Sequence, residues 1–240
     1  MPNAPPLRAV VFDLDDTLYL ERDYVRSGFR AVSRWAQEAL AVDAARVFAE
    51  LWQAFEQGAR GDTFDRWLRS QGLKVGEHLP AMLRAYREHA PSIRPLPGAP
   101  ALLERLHRRL RTGLISDGQA AVQRRKLSAL GLARHLDAVV LTDELGREFW
   151  KPHPRAFEEM VERLGVEPAS TVYVADNCAK DFLGARQVGL RTIRVRHAGA
   201  EHCLRDPPTE QHAPEATVEG LEALTPGPSL LAGVERGGLV

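Results

Sequence analysis

The sequence predicts an α/β protein with a doubly wound, Rossmann-like parallel sheet as its core and an inserted α-helical domain. Near the amino terminus, the apolar run Val10–Phe12 is typical of a strand buried on both faces. From residue 99 onward, short apolar strands alternate with amphipathic helices. Between these regions, residues 19–94 show helical periodicity only. We therefore expect a core domain from residues 1–18 and 95–240, and a helical cap domain from residues 19–94.

Composition narrows the class of protein. The 240 residues are 44% hydrophobic and 27% charged, as in an ordinary globular protein. The 32 basic and 32 acidic side chains cancel, which argues against nucleic acid or an anionic membrane as the main partner. No apolar stretch approaches the length of about 18 residues that spans a bilayer, and the first eight residues lack a signal core, so we expect a cytoplasmic location. Two cysteines do not support a disulfide scaffold or a four-cysteine zinc site.

Four helices are predicted in the cap domain, each with one apolar stripe at spacings of three and four. Aromatic residues lie on these stripes and are expected in the core rather than in contact with ligand. The stretch 90–98 holds three prolines and a glycine and predicts a linker, which together with Tyr19–Asp23 would join the cap to the core. The predicted helices are Tyr24–Leu40, Ala44–Gln57, Thr63–Gln71 and Leu79–His89, the last with Pro80 in its first turn.

The core domain is predicted from alternating helices and strands, most of them closed by glycine or polar residues. Residues 199–240 are broken up by Pro207, Pro208, Pro214, Pro226 and Pro228, with room for a short edge strand and one helical turn. The predicted helices are Ala101–Leu110, Ala121–Leu130, Pro154–Leu164, Lys180–Val188 and the turn Leu221–Leu224; the strands are Thr112–Ile115, Ala138–Leu141, Thr171–Ala175, Arg191–Val195 and Ala216–Val218.

Acidic residues follow the first strand directly. Asp13 and Asp15 lie two residues apart, so in an extended chain their side chains can face one site. Open parallel sheets bind ligands beyond the carboxyl ends of their strands, which is where these residues fall. Two adjacent carboxylates repel one another unless they share a cation or a proton. The sequence therefore predicts a metal site here.

Lysine is scarce: the 32 basic residues are 28 Arg and four Lys, at positions 74, 126, 151 and 180. In so Arg-biased a chain, a functional Lys would be explained by a need for a compact ammonium, although for any single Lys chance is an alternative. The Arg-rich stretches Arg105–Arg111 and Arg124–Lys126 are interpreted as solvated helix faces, with a partner site as the alternative. Lys180 is interpreted as a surface residue, with the alternative that it reaches the pocket.

Four polar clusters now follow strands or loops of the core, and in this order they closely resemble the motifs of the haloacid dehalogenase superfamily. The resemblance covers roughly residues 8–197 and is to the phosphatase branch with a helical cap inserted after the first motif. It rests on VVFDLDDTLY at residues 10–19, LISDG at 114–118, Lys151-Pro152 with Pro154 and Phe157, and VADNCAKD at 174–181. Two departures are Ala175, where the family usually has Gly, and a longer loop between Gly146 and Lys151.

The resemblance implies a Mg²⁺-dependent phosphatase that forms an aspartyl-phosphate. It implies that Asp13 is the nucleophile and that Asp15 is the proton donor and then the base. Mg²⁺ would be held by Asp13, the backbone carbonyl of Asp15, and Asp176. The remaining implied roles are substrate binding by Thr17, Ser116, Asp117 and Lys151, and support of Lys151 or the metal by Asp181 and Asn177.

Several of these residues also have structural interpretations. Asp16 is expected to cap the next turn, and Asp117 to cap a helix, even though its motif places it beside the substrate. Asp143 and Glu144 are ambiguous, because exposed acidic residues are common. Substrate selection would fall to cap-side residues after the nucleophile loop, and the candidates are Tyr19, Glu21, Arg22, Tyr24 and Arg26.

The leading hypothesis is a phosphatase for a small phosphorylated metabolite, with the oligomeric state open. A 2-haloacid dehalogenase on the same fold needs the nucleophile but neither a metal nor an acid two residues later, so Asp15 argues against it. A sugar phosphomutase would share the aspartyl-phosphate with the phosphatase. A non-catalytic binding protein of this fold is disfavoured by the complete set Asp13, Asp15, Ser116, Lys151 and Asp176.

Overall fold

The computed structural model describes residues 5–224 and contains a six-stranded sheet in which every neighbouring pair of strands is parallel. The strand order β3-β2-β1-β4-β5-β6 places β1 at the centre, as in a doubly wound fold. This confirms the predicted fold class. The strands are β1 (Ala9–Phe12), β2 (Arg111–Ser116), β3 (Ala138–Leu141), β4 (Thr171–Ala175), β5 (Arg191–Arg196) and β6 (Ala216–Glu219).

Eight α-helices lie in the described part of the chain. Four of them fall between residues 21 and 88, and the other four precede β2, β3, β4 and β5. None of them is both long and apolar enough to span a bilayer. They are α1 (Glu21–Leu40), α2 (Ala44–Glu56), α3 (Thr63–Ser70), α4 (Val75–Glu88), α5 (Ala99–His107), α6 (Ala120–Leu130), α7 (Arg155–Leu164) and α8 (Phe182–Val188).

The chain divides into two compact units. One comprises the chain up to Glu21 and from Arg94 onward, and the other comprises Arg22–Ile93. The predicted domain boundaries, after residues 18 and 94, lie three residues and one residue from these divisions. That the helical unit serves as a cap stays a prediction.

The helical unit has a core of its own, built from the predicted apolar stripes. Its aromatic residues other than Tyr24 pack within this core, as their positions on the stripes predicted. Rings of Phe29 and Phe64, for example, meet edge to face with centroids 5.8 Å apart. The buried members of this core are Phe29, Val32, Ala36, Val47, Leu51, Phe64, Trp67, Leu68 and Met82.

The sheet supplies the core of the other unit. Val10, Val11 and Phe12 are completely buried, which confirms that β1 is covered on both faces. On one face, Phe157 of α7 packs edge to face on Tyr173 of β4, with centroids 4.9 Å apart. Central strands buried in this way are held rigidly, so they fix the residues that follow them.

The predicted start of α4 was wrong by one turn. The helix begins at Val75 rather than Leu79, and Pro80 lies inside it rather than in its first turn. Proline cannot donate a hydrogen bond to the preceding turn, which is why the sequence favoured a later start. Here the turn before Pro80 is closed independently, because the backbone N–H groups of Glu77 and His78 both donate to the carbonyl of Lys74.

Between residues 199 and 224, the structure contains the two elements that the sequence allowed. The edge strand β6 is confirmed, and a 3-10 helix at Leu221–Ala223 replaces the predicted helical turn. Pro226 and Pro228 lie outside the described residues. Buried Arg194 of β5 donates hydrogen bonds to the carbonyls of His202 and Arg205, at 2.7 and 2.9 Å, and so fastens the segment after β5.

Candidate active site

Predicted site residues lie at the ends of three neighbouring strands, along one edge of the sheet. Phe12 of β1 lies in register with Leu114 of β2 and with Val174 of β4. Because the strands are parallel, Asp13, Ser116 and Asp176 emerge together at their carboxyl ends. All three are at most 2% exposed. The predicted clustering of the first, second and fourth motifs is therefore present in the fold.

Lys151 connects the third motif to this edge. Its Nζ lies 2.6 Å from Asp13 Oδ1, 2.7 Å from Asp181 Oδ1 and 3.0 Å from the hydroxyl of Tyr173. An ammonium has three hydrogens to donate, and this network uses all of them. The extra residues after Gly146 form a short 3-10 helix, Arg147–Phe149, and do not prevent Lys151 from reaching Asp13.

At Asp13 and Lys151, burial and the neighbouring charges shift the pKa values in opposite directions. Burial raises the pKa of Asp13 to about 6, although the nearby ammonium of Lys151 pulls in the opposite direction. For Lys151, burial favours the neutral amine, but the carboxylates of Asp13 and Asp181 prevail and raise its pKa well above 10.5. Lys151 is therefore a permanent positive charge beside the candidate nucleophile.

An acidic cluster suited to a hard cation lies at the same edge. Ligand atoms of Asp13, Asp176 and Asp181 all lie within 4.8 Å of one another. Asp13 Oδ2 and Asp176 Oδ2 are buried and accept no hydrogen bond from the described residues. Burial, together with repulsion from Asp181 and Asp13, raises the pKa of Asp176 well above its ordinary value. Such orphaned, mutually repelling oxygens fit a divalent cation.

Asp181 differs from the other two members of the cluster. Its Oδ1 accepts hydrogen bonds from Lys151 and from the Tyr173 hydroxyl, and its Oδ2 accepts one from the backbone N–H of Asn177 at 3.0 Å. Both oxygens are therefore occupied by protein donors. Asn177 in turn accepts from the backbone N–H of Ala179 at 3.0 Å, so its side chain shapes the turn that carries Asp176.

Asp15 is held by three donors. Its Oδ1 accepts hydrogen bonds from Lys126 Nζ, at 2.6 Å, and from the Tyr19 hydroxyl, and its Oδ2 accepts one from Gln123 Nε2 at 2.8 Å. Burial alone would raise the pKa of Asp15, but the ammonium and these hydrogen bonds hold it below its ordinary value. The two carboxylates of the first motif thus occupy different electrostatic environments.

Two hydroxyls point to a place for an anion. Ser116 Oγ accepts a hydrogen bond from Gln123 Nε2 at 2.5 Å. Thr17 Oγ1 is buried without a partner among residues 5–224. A buried hydroxyl with unused hydrogen-bonding capacity is costly unless a ligand completes it. Both residues were predicted to bind the phosphoryl group, and they lie at the same sheet edge as Asp13.

The helix-capping interpretation of Asp117 was wrong. Helix α6 begins three residues later, at Ala120, and the backbone N–H of Ala120 donates instead to Asp143 Oδ2 at 3.0 Å. Asp117 Oδ1 accepts hydrogen bonds from the Thr142 hydroxyl and from the backbone N–H of Lys151, at 2.8 and 3.2 Å. Asp117 therefore ties together the loops after β2 and β3 and the loop that carries Lys151.

Lys126 was wrongly interpreted as part of a solvated surface, whereas the Lys180 side chain is 33% exposed and also reaches the site, which was its alternative interpretation. Lys180 Nζ lies 3.7 Å from Asp117 Oδ2, and Lys126 is only 4% exposed and contacts Asp15. A run of basic residues on a helix is usually exposed to solvent, which is why Arg124–Lys126 was interpreted as a solvated helix face. The missed signal is the buried face of α6, on which Lys126 follows Gln123 by three residues and precedes Leu130 by four.

Asp16 has the structural role expected of it. It adopts a left-handed conformation, with φ of 55°, which aspartate tolerates better than most residues. One carboxylate oxygen accepts from the backbone N–H of Glu21 at 2.8 Å, and the other from that of Glu201 at 2.9 Å. Asp16 thus fixes the turn after the nucleophile from both sides. The participation of Glu201 was not foreseen, because the sequence after residue 199 offered little periodicity.

Comparison with known proteins identifies the family of this chain. The profile of the haloacid dehalogenase-like hydrolases matches residues 7–189. The glyceraldehyde 3-phosphate phosphatase of Methanopyrus kandleri is 32% identical over 198 residues, which cover 79% of this chain and 84% of that protein. A pyrimidine 5′-nucleotidase of Escherichia coli is 28% identical over 90% of this chain and 95% of its own.

Solved structures with a similar fold are also known. A magnesium-bound hydrolase of Bacillus subtilis, YfnB, superposes with a TM-score of 0.65 at 21% identity, covering 92% of this chain and 97% of that one. A dehalogenase structure superposes with a TM-score of 0.58 at 25% identity, covering 91% and 96%. Low identity limits the former likeness to the fold, whereas the profile match spans most of the chain. The protein therefore belongs to the haloacid dehalogenase-like hydrolases.

Proposed function

We propose that this protein is a Mg²⁺-dependent phosphatase that hydrolyses a small phosphorylated metabolite through an aspartyl-phosphate on Asp13. The observation that carries the proposal is the buried arrangement at the carboxyl end of β1. Lys151 Nζ lies 2.6 Å from one oxygen of Asp13, while the other oxygen has no partner in the described chain. One carboxylate oxygen is thus neutralised and the other is left to react or to meet a cation.

In the first step, a carboxylate oxygen of Asp13 attacks phosphorus. A bond forms between this oxygen and phosphorus as the bond from phosphorus to the leaving oxygen breaks. Asp15 is a carboxylate in the free protein and has to take up a proton as substrate binds; it then donates this proton to the leaving oxygen, which departs as an alcohol. The hydroxyls of Ser116 and Thr17 bind the oxygens of the transferred group. The positive charge of Lys151, whose three hydrogens are donated to Asp13, Asp181 and Tyr173, offsets the charge of those oxygens.

In the second step, water hydrolyses the aspartyl-phosphate. Asp15, now a carboxylate, takes a proton from the water as the water oxygen attacks phosphorus. The bond between phosphorus and Asp13 then breaks, which releases inorganic phosphate and restores both carboxyl groups to their starting states.

The acidic cluster fits Mg²⁺. Asp13 and Asp176 have unpartnered buried oxygens, and the backbone carbonyl of Asp15 would complete the set of protein ligands. When bound, Mg²⁺ neutralises negative charge on the phosphoryl oxygens and on the carboxylates that face them. Asp181 keeps Lys151 in place rather than binding metal, since both of its oxygens accept hydrogen bonds from the protein.

Substrate size and class are supported by the relatives. Proteins that align over most of this chain are named as phosphatases of glyceraldehyde 3-phosphate and ribulose 1,5-bisphosphate and as a pyrimidine 5′-nucleotidase. All of these names describe small phosphate monoesters. We therefore propose a substrate of this class, and a role for the helical unit as the cap that selects it.

The test combines metal removal with a substitution at the nucleophile. Dialysis against EDTA should abolish release of phosphate from p-nitrophenyl phosphate, and Mg²⁺ should restore it. Asp13→Asn keeps the size of the side chain but removes the nucleophilic charge, so it should be inactive while it unfolds at a similar temperature. Glu158→Gln, on an exposed face of α7, is the matched control and should retain activity.

Three results would contradict this proposal. An Asp13→Asn protein with full activity would exclude the covalent intermediate. Release of halide from a 2-haloacid without added metal would instead support the dehalogenase alternative, which shares the nucleophile but does not use Asp15. Conversion of a sugar phosphate into its isomer, rather than release of phosphate, would indicate a mutase.

A further inference from the structure

Helix α6 presents two polar residues on its buried face. Gln123 and Lys126 are 1% and 4% exposed, beside the apolar Leu127 and Leu130. Burying an ammonium and an amide costs free energy that only well-placed partners offset. The partners of both residues lie in the candidate active site, although neither residue belongs to the four motifs.

Lys126 contacts the proposed proton donor directly. Its Nζ lies 2.6 Å from Asp15 Oδ1, and the side chains of the pair are only 5% and 16% exposed. The hydroxyl of Tyr19, itself completely buried, donates to the same oxygen. Charge-assisted hydrogen bonds in such a poorly solvated place are strong and directional. One oxygen of Asp15 is therefore fixed from two sides.

Gln123 links Asp15 to Ser116. Its Nε2 donates to Asp15 Oδ2 at 2.8 Å and to Ser116 Oγ at 2.5 Å, so both amide hydrogens are used. The carboxylate of Asp15 can only accept, which determines the orientation of the amide. Since Ser116 Oγ accepts from Gln123, its own hydrogen is left to donate toward the phosphoryl group.

Helix α6 is itself anchored. At its start, the backbone N–H of Ala120 donates to Asp143 Oδ2 at 3.0 Å. The loop after β3 thus holds the helix that holds Asp15. Residues that lie on a rigid helix position a site more accurately than residues on a loop.

We propose that Gln123 and Lys126 are positioning residues of the proposed phosphatase. Lys126 fixes the carboxyl group of Asp15 where it exchanges a proton with the leaving oxygen and then with water. Gln123 fixes the distance between that group and the Ser116 hydroxyl, and directs the Ser116 proton to the phosphate. The inference rests on the proposed function, because it assigns these residues to the same two steps.

The test uses the difference between leaving groups. A p-nitrophenolate leaves without a proton, whereas an alkoxide from glycerol phosphate needs one. If Lys126 positions Asp15, Lys126→Met should lower kcat/KM for the alkyl phosphate about a hundredfold and for the aryl phosphate only several-fold. Hydrolysis of the aspartyl-phosphate also needs Asp15, so the variant should show a burst of p-nitrophenol before its slow steady state.

Gln123→Met should give a second signature. It removes both donors at nearly constant volume, so inhibition by inorganic phosphate should weaken, because Ser116 loses its orientation. Lys126→Met should leave that inhibition unchanged. Arg124→Met is the matched control: it removes an exposed cation from the same helix, and its ion pair contributes little to stability, so both readouts should stay as in the unaltered protein.

Tyr19→Phe provides a milder variant in case Lys126→Met fails to fold. It removes one donor to Asp15 and should shift the ratio of the two kcat/KM values in the same direction by a smaller factor. An equal loss for both substrates, with no burst, would overturn the inference and leave these residues a role in stability alone. Absence of phosphate release by the unaltered protein would overturn the proposed function itself.

Discussion

At the scale of single residues, lysine is the informative amino acid of this chain. Of its four lysines, against 28 arginines, three contact carboxylates at the candidate site: Lys126, Lys151 and Lys180. An ammonium is a compact charge with donors in three directions, whereas a guanidinium is a planar fork. At Lys151 the three acceptors converge on one nitrogen, which a planar group cannot satisfy.

Substitution of Lys151 should destabilise the protein as well as inactivate it. Lys151→Met leaves Asp13 and Asp181 buried and unpaired, which should lower the free energy of unfolding by about 3–5 kcal/mol in urea denaturation without metal. Lys151→Arg should recover little of this, because the guanidinium is larger and planar.

A double variant separates charge from packing. Adding Asp181→Asn to Lys151→Met removes one of the unpaired carboxylates, so the double variant should be more stable than Lys151→Met alone. If Lys151→Met by itself unfolds at the urea concentration of the unaltered protein, the network does not carry the stability assigned to it here.

At the scale of elements, the site depends on close packing between α8 and the loop that carries Lys151. A Cβ at Gly184 of α8 would lie 2.4 Å from the backbone carbonyl oxygen of Pro152 and 2.9 Å from the ring of Phe157. Backbone atoms cannot move aside as a flexible side chain can. The absence of a side chain at Gly184 therefore permits the helix to approach the residue next to Lys151.

Gly184→Ala should destabilise the protein despite the better helix propensity of alanine. Overpacking of this kind costs about 1–3 kcal/mol, and the displaced loop should also lower kcat. The matched control is Gly76→Ala in α4, where an added Cβ meets no atom within 4 Å. That change should stabilise the helix by up to about 1 kcal/mol. Thermal unfolding of both variants tests this prediction. Equal changes in Tm would show that α8 does not pack tightly against this loop.

At the scale of the whole molecule, acidic and basic side chains balance, but buried carboxylates are concentrated at the candidate site. Asp13 and Asp176 both have raised pKa values because burial disfavours their charged forms. For Asp13 the shift is from 3.8 to about 6. Between pH 3.8 and about pH 6, the folded protein binds more protons than the unfolded chain. The stability of the metal-free protein therefore falls as the pH rises through this range. Asp15, whose pKa is lowered, contributes in the opposite direction.

Stabilisation by Mg²⁺ should therefore depend on pH. A cation replaces the protons on these carboxylates, so the increase in Tm on adding Mg²⁺ should be larger at pH 7.5 than at pH 5. Asp176→Asn removes one charge and one ligand; it should raise the Tm of the metal-free protein at pH 7.5 and abolish most of the Mg²⁺ effect. A shift of equal size at both pH values would contradict the proposed metal site.

The sequence predicted the fold class and the order in which the polar clusters follow the strands. Buried parallel strands have a local signature, and their carboxyl ends must meet at one edge, so Asp13, Ser116 and Asp176 could be placed together. It could not show Gln123, Lys126 or Tyr173, since their partners lie far away in sequence and each has an ordinary explanation as a helix or strand residue. Only the tertiary structure brings α6 against Asp15 and turns an apparent surface cation into its buried partner.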